Sequence, residues 1–225
     1  MTAVCMVVHA EGPGELGTTT WDLSPTDSLQ PDDLGPAHII VQRILTEGAQ
    51  IPALAIDFVE PLRTKTGARA HGSQLLKPSA LDEILAGWLL ALPLIVLLVD
   101  SDDKPPVERE SILKAALERN ALAGAVGVAV KEFESWLIAD AKAINQIIGN
   151  VRHDFQTPEK LACGEAKQTL QKWIQDIAHP SRQLMDIRRE LATAMDLDVV
   201  TNLCPSFKSF RQALLGLDAQ NFKAK

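Results

Sequence analysis

Tyrosine is absent from this sequence, and phenylalanine and tryptophan leave it only 4% aromatic. A surface that stacks successive nucleic-acid bases on aromatic rings is therefore not expected. Basic residues are outnumbered: 22 Lys and Arg face 29 Asp and Glu, for a net charge of −7. A chain so charged does not hold nucleic acid by charge alone, because neutralising phosphates takes clustered Lys and Arg. The three cysteines, Cys5, Cys163 and Cys204, are far apart and show no paired spacing. With an odd count and no leader-like segment they are expected to stay reduced, which points to the cytoplasm. The five histidines are scattered and form no zinc-type pair. One uncharged stretch, ILAGWLLALPLIVLLV at 84–99, needs a membrane check. It falls short of the ~20 residues a spanning helix requires, and Pro93 divides it. A helix followed by a buried strand accounts for it, and no membrane span is expected.

With 46% apolar and 23% charged residues over 225 positions, the chain has an ordinary globular composition and enough length for a real core. Its first 150 residues alternate between two periodicities. Short apolar, β-branched runs at 3–10, 51–60, 94–99 and 124–130 read as strands. Between them, AHIIVQRILTEGA, ALDEILAGWLLAL and VERESILKAALERN show helical spacing, and FESWLIADAKAINQIIG continues as a helix after the fourth strand. That alternation predicts a parallel α/β sheet covered on both faces. From 151 to 225 the character changes. PSRQLMDIRRELATAMDL carries a stripe of Leu184, Ile187, Leu191 and Met195, and SFKSFRQALLGL reads as a final helix capped by Ser206. The expectation is an α/β domain over 1–150 with a helical extension over 151–225 packed on it. The only strand signal in the extension is a weak one at Asp198-Val199-Val200.

The acids stand at the strand ends. The first run closes at Glu11, with Glu15 four residues on. The third runs through LLVDSDD into Asp100, Asp102 and Asp103, and the fourth is followed by Glu132 and Glu134. In a parallel sheet these ends share one edge, where such folds bind ligands, so the acids are expected to converge. Convergent carboxylates push one another toward protonation, and a divalent cation relieves this. Mg²⁺ (or Mn²⁺) suits oxygen ligands, and in an extended chain Asp100 and Asp102 point to one side. A further carboxylate nearby serves as general acid or base. The chemistry implied is phosphoryl or phosphodiester transfer. Plainer readings stand beside this one. Asp103 would cap the helix opening at Pro105, Glu15 would be a solvated loop acid, and Glu132 and Glu134 would be first-turn helix acids.

Two loops complete the picture. Residues 17–36 are rich in Thr, Pro and Asp without periodicity. Residues 61–78 gather Arg63, Lys65, Arg69, His71 and Lys77, candidates for holding phosphate beside the acids. Ser79 is placed to cap the helix that follows, whereas Arg188 and Arg189 read as a solvated helix face.

In order, HAEGPGE, LLVDSDD, AVKEFESWLIAD and the late SFKSF resemble a bacterial TOPRIM-like family known as domain-of-unknown-function family 4276. The resemblance touches most of the chain. It implies a TOPRIM-like, Rossmann-like sheet and a Mg²⁺-dependent nuclease or phosphotransferase acting on nucleic acid or a nucleotide. Carried over, Glu11 matches the TOPRIM glutamate, a general acid/base or metal-linked group. Asp100 and Asp102 match the metal pair, Glu134 the Glu before Trp, and Glu15 an additional acid of nuclease-like members. An ATPase partner in a phage-defence setting is implied by analogy. Gly14 departs from the pattern, which expects a hydroxyl residue there, and no catalytic lysine or histidine is matched. Other readings are a non-catalytic TOPRIM-like scaffold for an ATPase and a nucleotide-sugar glycosyltransferase using Asp-x-Asp. A haloacid-dehalogenase-type phosphatase fits less well, because its Asp-x-Asp sits near the N-terminus.

Overall fold

Runs of β-branched residues bounded by turn formers become the strands of one parallel sheet. The computed structural model describes residues 3–17, 27–61, 72–88, 93–151, 155–177 and 182–217. Within them β1 (Val4–Ala10), β2 (Ile56–Phe58), β3 (Leu94–Asp100) and β4 (Gly124–Ala129) pair in the order β2-β1-β3-β4. Every pairing is parallel, with Val8 opposite Val96 and Leu97 opposite Val126. α1 (Pro13–Leu16) and α2 (Pro36–Arg43) lie between β1 and β2, α3 (Pro78–Ala86) before β3, and α4 (Pro106–Arg119) before β4. The chain then forms α5 (Glu134–Leu137), α6 (Ala141–Ile147), α7 (Glu165–Asp176), α8 (Leu184–Ala194), α9 (Leu197–Leu203) and α10 (Pro205–Leu215). The architecture is the expected one, an α/β Rossmann-like parallel sheet flanked by helices.

Strand alternation explains why the third run is apolar throughout. Val7 of β1 and Ile95, Leu97 and Val99 of β3 pack with Leu81, Leu85 and Leu113 of α3 and α4. Their neighbours Met6, Val8, Leu94, Val96 and Leu98 pack on the other face with α2, α8 and α10. Both faces are buried, as expected of a parallel strand. Three of the four stripe residues in the C-terminal third, Ile187, Leu191 and Met195, are fully buried in that second cluster. At roughly 1.5–3 kcal/mol per buried side chain, this stripe is enough to hold α8 on the sheet domain. Among the described residues no helix is long and apolar enough to cross a membrane.

Several local expectations are corrected. Strand β2 covers only three residues of the 51–60 run, because Pro52 starts a 3-10 turn at Ala53–Ala55 that leaves Leu54 95% exposed. The helix expected to run on from Phe133 breaks at Asp140, whose carboxylate accepts from the main-chain N–H of Lys142 and of Asp196. That side chain competes with the helix ladder and wins. Asp198-Val199-Val200 is helical, within α9. Ser79 lies inside α3, whose N-cap is Lys77. Ser206 lies inside α10, where its hydroxyl accepts from Trp136 Nε1 at 2.8 Å instead of capping. Asp103 does not cap α4 but pairs with Lys131 at 2.9 Å.

Gly17 and Gly35, near the two ends of the 17–36 stretch, meet. A Cβ on Gly35 would lie 2.3 Å from Gly17 N, so the two ends are in backbone contact. Gly35 N–H in turn donates to His38 Nδ1 at 3.3 Å, starting α2 directly over α1.

Candidate functional site

Parallel topology delivers the acids to one edge. Glu11 follows β1, and its Oε2 accepts from the main-chain N–H of Asp100, the last residue of β3, at 2.7 Å. The Asp100 carboxylate accepts from the main-chain N–H of Phe133, beyond β4. Glu15 comes from α1 and Glu134 from α5, and both are buried. Burial, then the charges of Glu11, Glu15 and Glu134, push the Asp100 carboxyl up to about 9. Burial and Glu134 raise Glu15 to about 7, against the pull of Arg188. Glu11 is raised too, chiefly by burial, with Arg109 and Lys167 opposing. Burial is the first cause in all three, and repulsion from neighbouring carboxylates adds to it.

The remaining described candidates, Asp102 and Glu132, are engaged by other partners. Asp102 is not in extended chain: its φ of +47° turns it out of line with Asp100. Its Oδ2 accepts from Arg109 Nη2 at 2.6 Å, and Arg109 Nη1 also donates to the Asp100 carbonyl. The turn is tied to the end of β4 by Ser101 Oγ, which accepts from Lys131 N–H at 2.8 Å. Glu132 accepts from Lys167 N–H at 2.9 Å and thereby closes the N-terminus of α7. Arg63, Lys65 and Arg69 lie outside the described residues. Gly72, where description resumes, sits against Glu11, within 3.8 Å of its Cγ by an added Cβ.

Two arginines were not legible as site residues. Arg188, expected on a solvated helix face, is instead 5% exposed, and its Nη2 is paired with Glu134 Oε1. Arg109 is buried as well. Helical spacing carried the signal in both cases: Arg188 is four residues from Leu184 and from Ala192, and Arg109 four from Leu113. Replacing Arg109 with Lys removes the fork that spans Asp100 and Asp102. Urea unfolding should show a loss of about 1–2 kcal/mol; an unchanged midpoint would mean the fork contributes nothing.

Among the described residues no three His, Cys, Asp or Glu side chains are grouped to hold a metal ion. Mg²⁺ does not need such a cage, since one or two carboxylates with water and substrate phosphate complete its shell. Glu11 and Asp100 supply hard oxygens from adjacent strand ends. Neither carboxylate is hydrogen-bonded to a Lys or Arg side chain among the described residues. They fit Mg²⁺ in donor type.

A family model described as a domain of unknown function, DUF4276, matches residues 49–215. The matched span includes Asp100, Arg109, Glu134 and Arg188, whereas Glu11 and Glu15 precede it. No curated protein and no solved structure matches the chain.

Proposed function

The chain belongs to the DUF4276 family, whose description assigns no activity, and from the site itself we propose a Mg²⁺-dependent enzyme that cleaves phosphodiesters or transfers phosphoryl groups. The observation that carries this reading is the meeting of Glu11, Glu15, Asp100 and Glu134 at the C-terminal edge of the sheet, with Asp100 driven to about 9 by burial and then by the other three acids. Such an arrangement is costly unless it serves a cation or a proton transfer. Glu11 and Asp100 would hold the ion. When bound, it would stabilise charge developing on phosphoryl oxygens. Glu15, at about 7, is matched to take or give a proton near neutral pH. Glu11 and Asp100 are further fixed to each other through the Asp100 N–H, which holds the two strand ends in register.

The substrate class is nucleic acid or a nucleotide. A net charge of −7 means that a polymer would need a basic surface on a second subunit, and an ATPase is the partner we propose for it. Phage defence is the cellular setting that goes with such a pair.

The test is calorimetric titration with Mg²⁺ and Mn²⁺, alongside cleavage assays on DNA, RNA and nucleotides. Asp100 holds a proton at neutral pH, so cation binding should expel about one proton. Titrations in buffers of different ionisation enthalpy measure this. Affinity should climb by up to about tenfold per pH unit until the proton is gone near pH 9. A wild type that binds neither ion sinks the enzymatic reading. It would favour a non-catalytic interaction protein, which the Arg188–Glu134 and Arg109–Asp102 pairs make a physical alternative, since both satisfy acids from within.

A further inference from the structure

The four central acids are not treated alike. Glu11 and Asp100 receive main-chain N–H groups, which carry no net charge. Glu134 instead takes a full positive charge from Arg188, and Glu15 lies within the field of the same guanidinium. This arginine comes from α8, in the C-terminal helices, and is buried to 5% exposure. Its Nε has no hydrogen-bond partner among the described residues. A buried donor left over in this way suits a group held there for its charge, without a full set of bonds.

Room for the guanidinium is made by Gly14. A Cβ at that position would lie 2.3 Å from Arg188 Nη1. Glycine at position 14 thus leaves space for an arginine some 170 residues later in the chain. Gly14 and Arg188 are two halves of one fitting.

We propose that Arg188 stands in for a second cation: the site takes a single divalent ion on its Glu11–Asp100 side, while the guanidinium permanently occupies the Glu15–Glu134 side. This rests on the metal-dependent reading of the site and adds its stoichiometry and the element that sets it. Phosphoryl-transfer sites often use two ions about 3.5–4 Å apart to stabilise entering and leaving oxygens. A tethered guanidinium brings the second positive charge without hydration to strip and cannot be lost by dilution. Through it, the C-terminal helices become part of the site.

The experiment counts Mn²⁺ on the full-length protein, by calorimetry and by the electron paramagnetic signal of free Mn²⁺. Wild type is expected to bind one ion. Arg188→Met should bind a second, or bind the first roughly tenfold more tightly, because a neighbouring like charge is gone. Arg188→Lys, which keeps the charge, should stay at one. Gly14→Ala gives an independent handle should Arg188→Met fail to fold. It meets only the far end of the arginine, so it should push the guanidinium from Glu134 and move Mn²⁺ binding in the same direction. Two ions on wild type, or one ion with the same affinity on wild type, Arg188→Met and Gly14→Ala, would overturn this inference and leave the metal-dependent reading standing. No ion on wild type but one on Arg188→Met would overturn the one-ion stoichiometry together with the enzymatic reading. No ion on any variant would overturn both.

Discussion

Asp100→Asn should cut metal-dependent turnover by about 1,000-fold or more while making the metal-free protein more stable at pH 8. The two effects have one origin. Asp100 is the acid most strongly raised by its surroundings, to about 9, against an ordinary aspartate value of 3.8. Unfolding frees it to ionise at that lower value. Below pH 4 both states hold the proton, and the carboxyl costs nothing. Between there and pH 9 the unfolded state gives up its proton while the folded state keeps it, so folding loses ground steadily as pH rises. Above pH 9 the folded state carries the charge and the full penalty remains. Asparagine is neutral at every pH and retains an oxygen for the Phe133 N–H. The variant should therefore gain on the order of 2 kcal/mol at pH 8, allowing for the partial solvent screening at the strand end. Melting temperatures from pH 4 to 9 read the result: the wild-type curve should fall toward alkaline pH and the variant curve should be shallower. Parallel curves would mean that burial and the neighbouring acids do not hold Asp100 protonated in the folded state. Full turnover by Asp100→Asn and by Glu11→Gln, on every substrate cleaved by wild type, would remove the catalytic assignment.

Gly35→Ala should be the most destabilising small substitution tested, at about 4 kcal/mol. The added Cβ would stand 2.2 Å from Leu16 C, 2.3 Å from Gly17 N and 2.5 Å from Glu15 O. All three are main-chain atoms, so no side chain can swing aside. Either α1 moves off α2, or the returning end of the 17–36 segment lifts. Both displace Glu15, so the loss of stability should come with a loss of its perturbed titration. Gly14→Ala makes the comparison, because its obstacle is the end of an arginine and its cost is that of disturbing the buried Arg188–Glu134 pair, with the main chain left in place. Urea unfolding separates the two, and a Gly35→Ala midpoint within about 1 kcal/mol of wild type would show that the loop ends do not pack as described.

Much of this was legible in one dimension, for identifiable reasons. Strands β1, β3 and β4 announced themselves because they are short runs, apolar on both faces, with acids at or within a few residues of their ends. Strand β2 was overdrawn because its apolar run includes Pro52, which cannot donate a ladder bond. The helix from Phe133 was drawn too long because Asp140 looked like an ordinary helix residue. Its carboxylate finds the N–H of Asp196, 56 residues away, and that bond is invisible to local spacing.

What the sequence by itself determined is which acids share an edge. Parallel strands point their C-terminal ends one way, so Glu11, Asp100 and Glu134 had to gather once the alternating pattern folded. What only the tertiary structure decided is how each charge is answered. Glu134 meets Arg188 across 54 residues and Asp102 meets Arg109 across 7, while among the described residues Glu11 and Asp100 are hydrogen-bonded by main-chain N–H groups and Glu11 feels Arg109 and Lys167 at longer range. Electrostatic partnership depends on distance and burial in three dimensions, and neither is encoded in spacing along the chain.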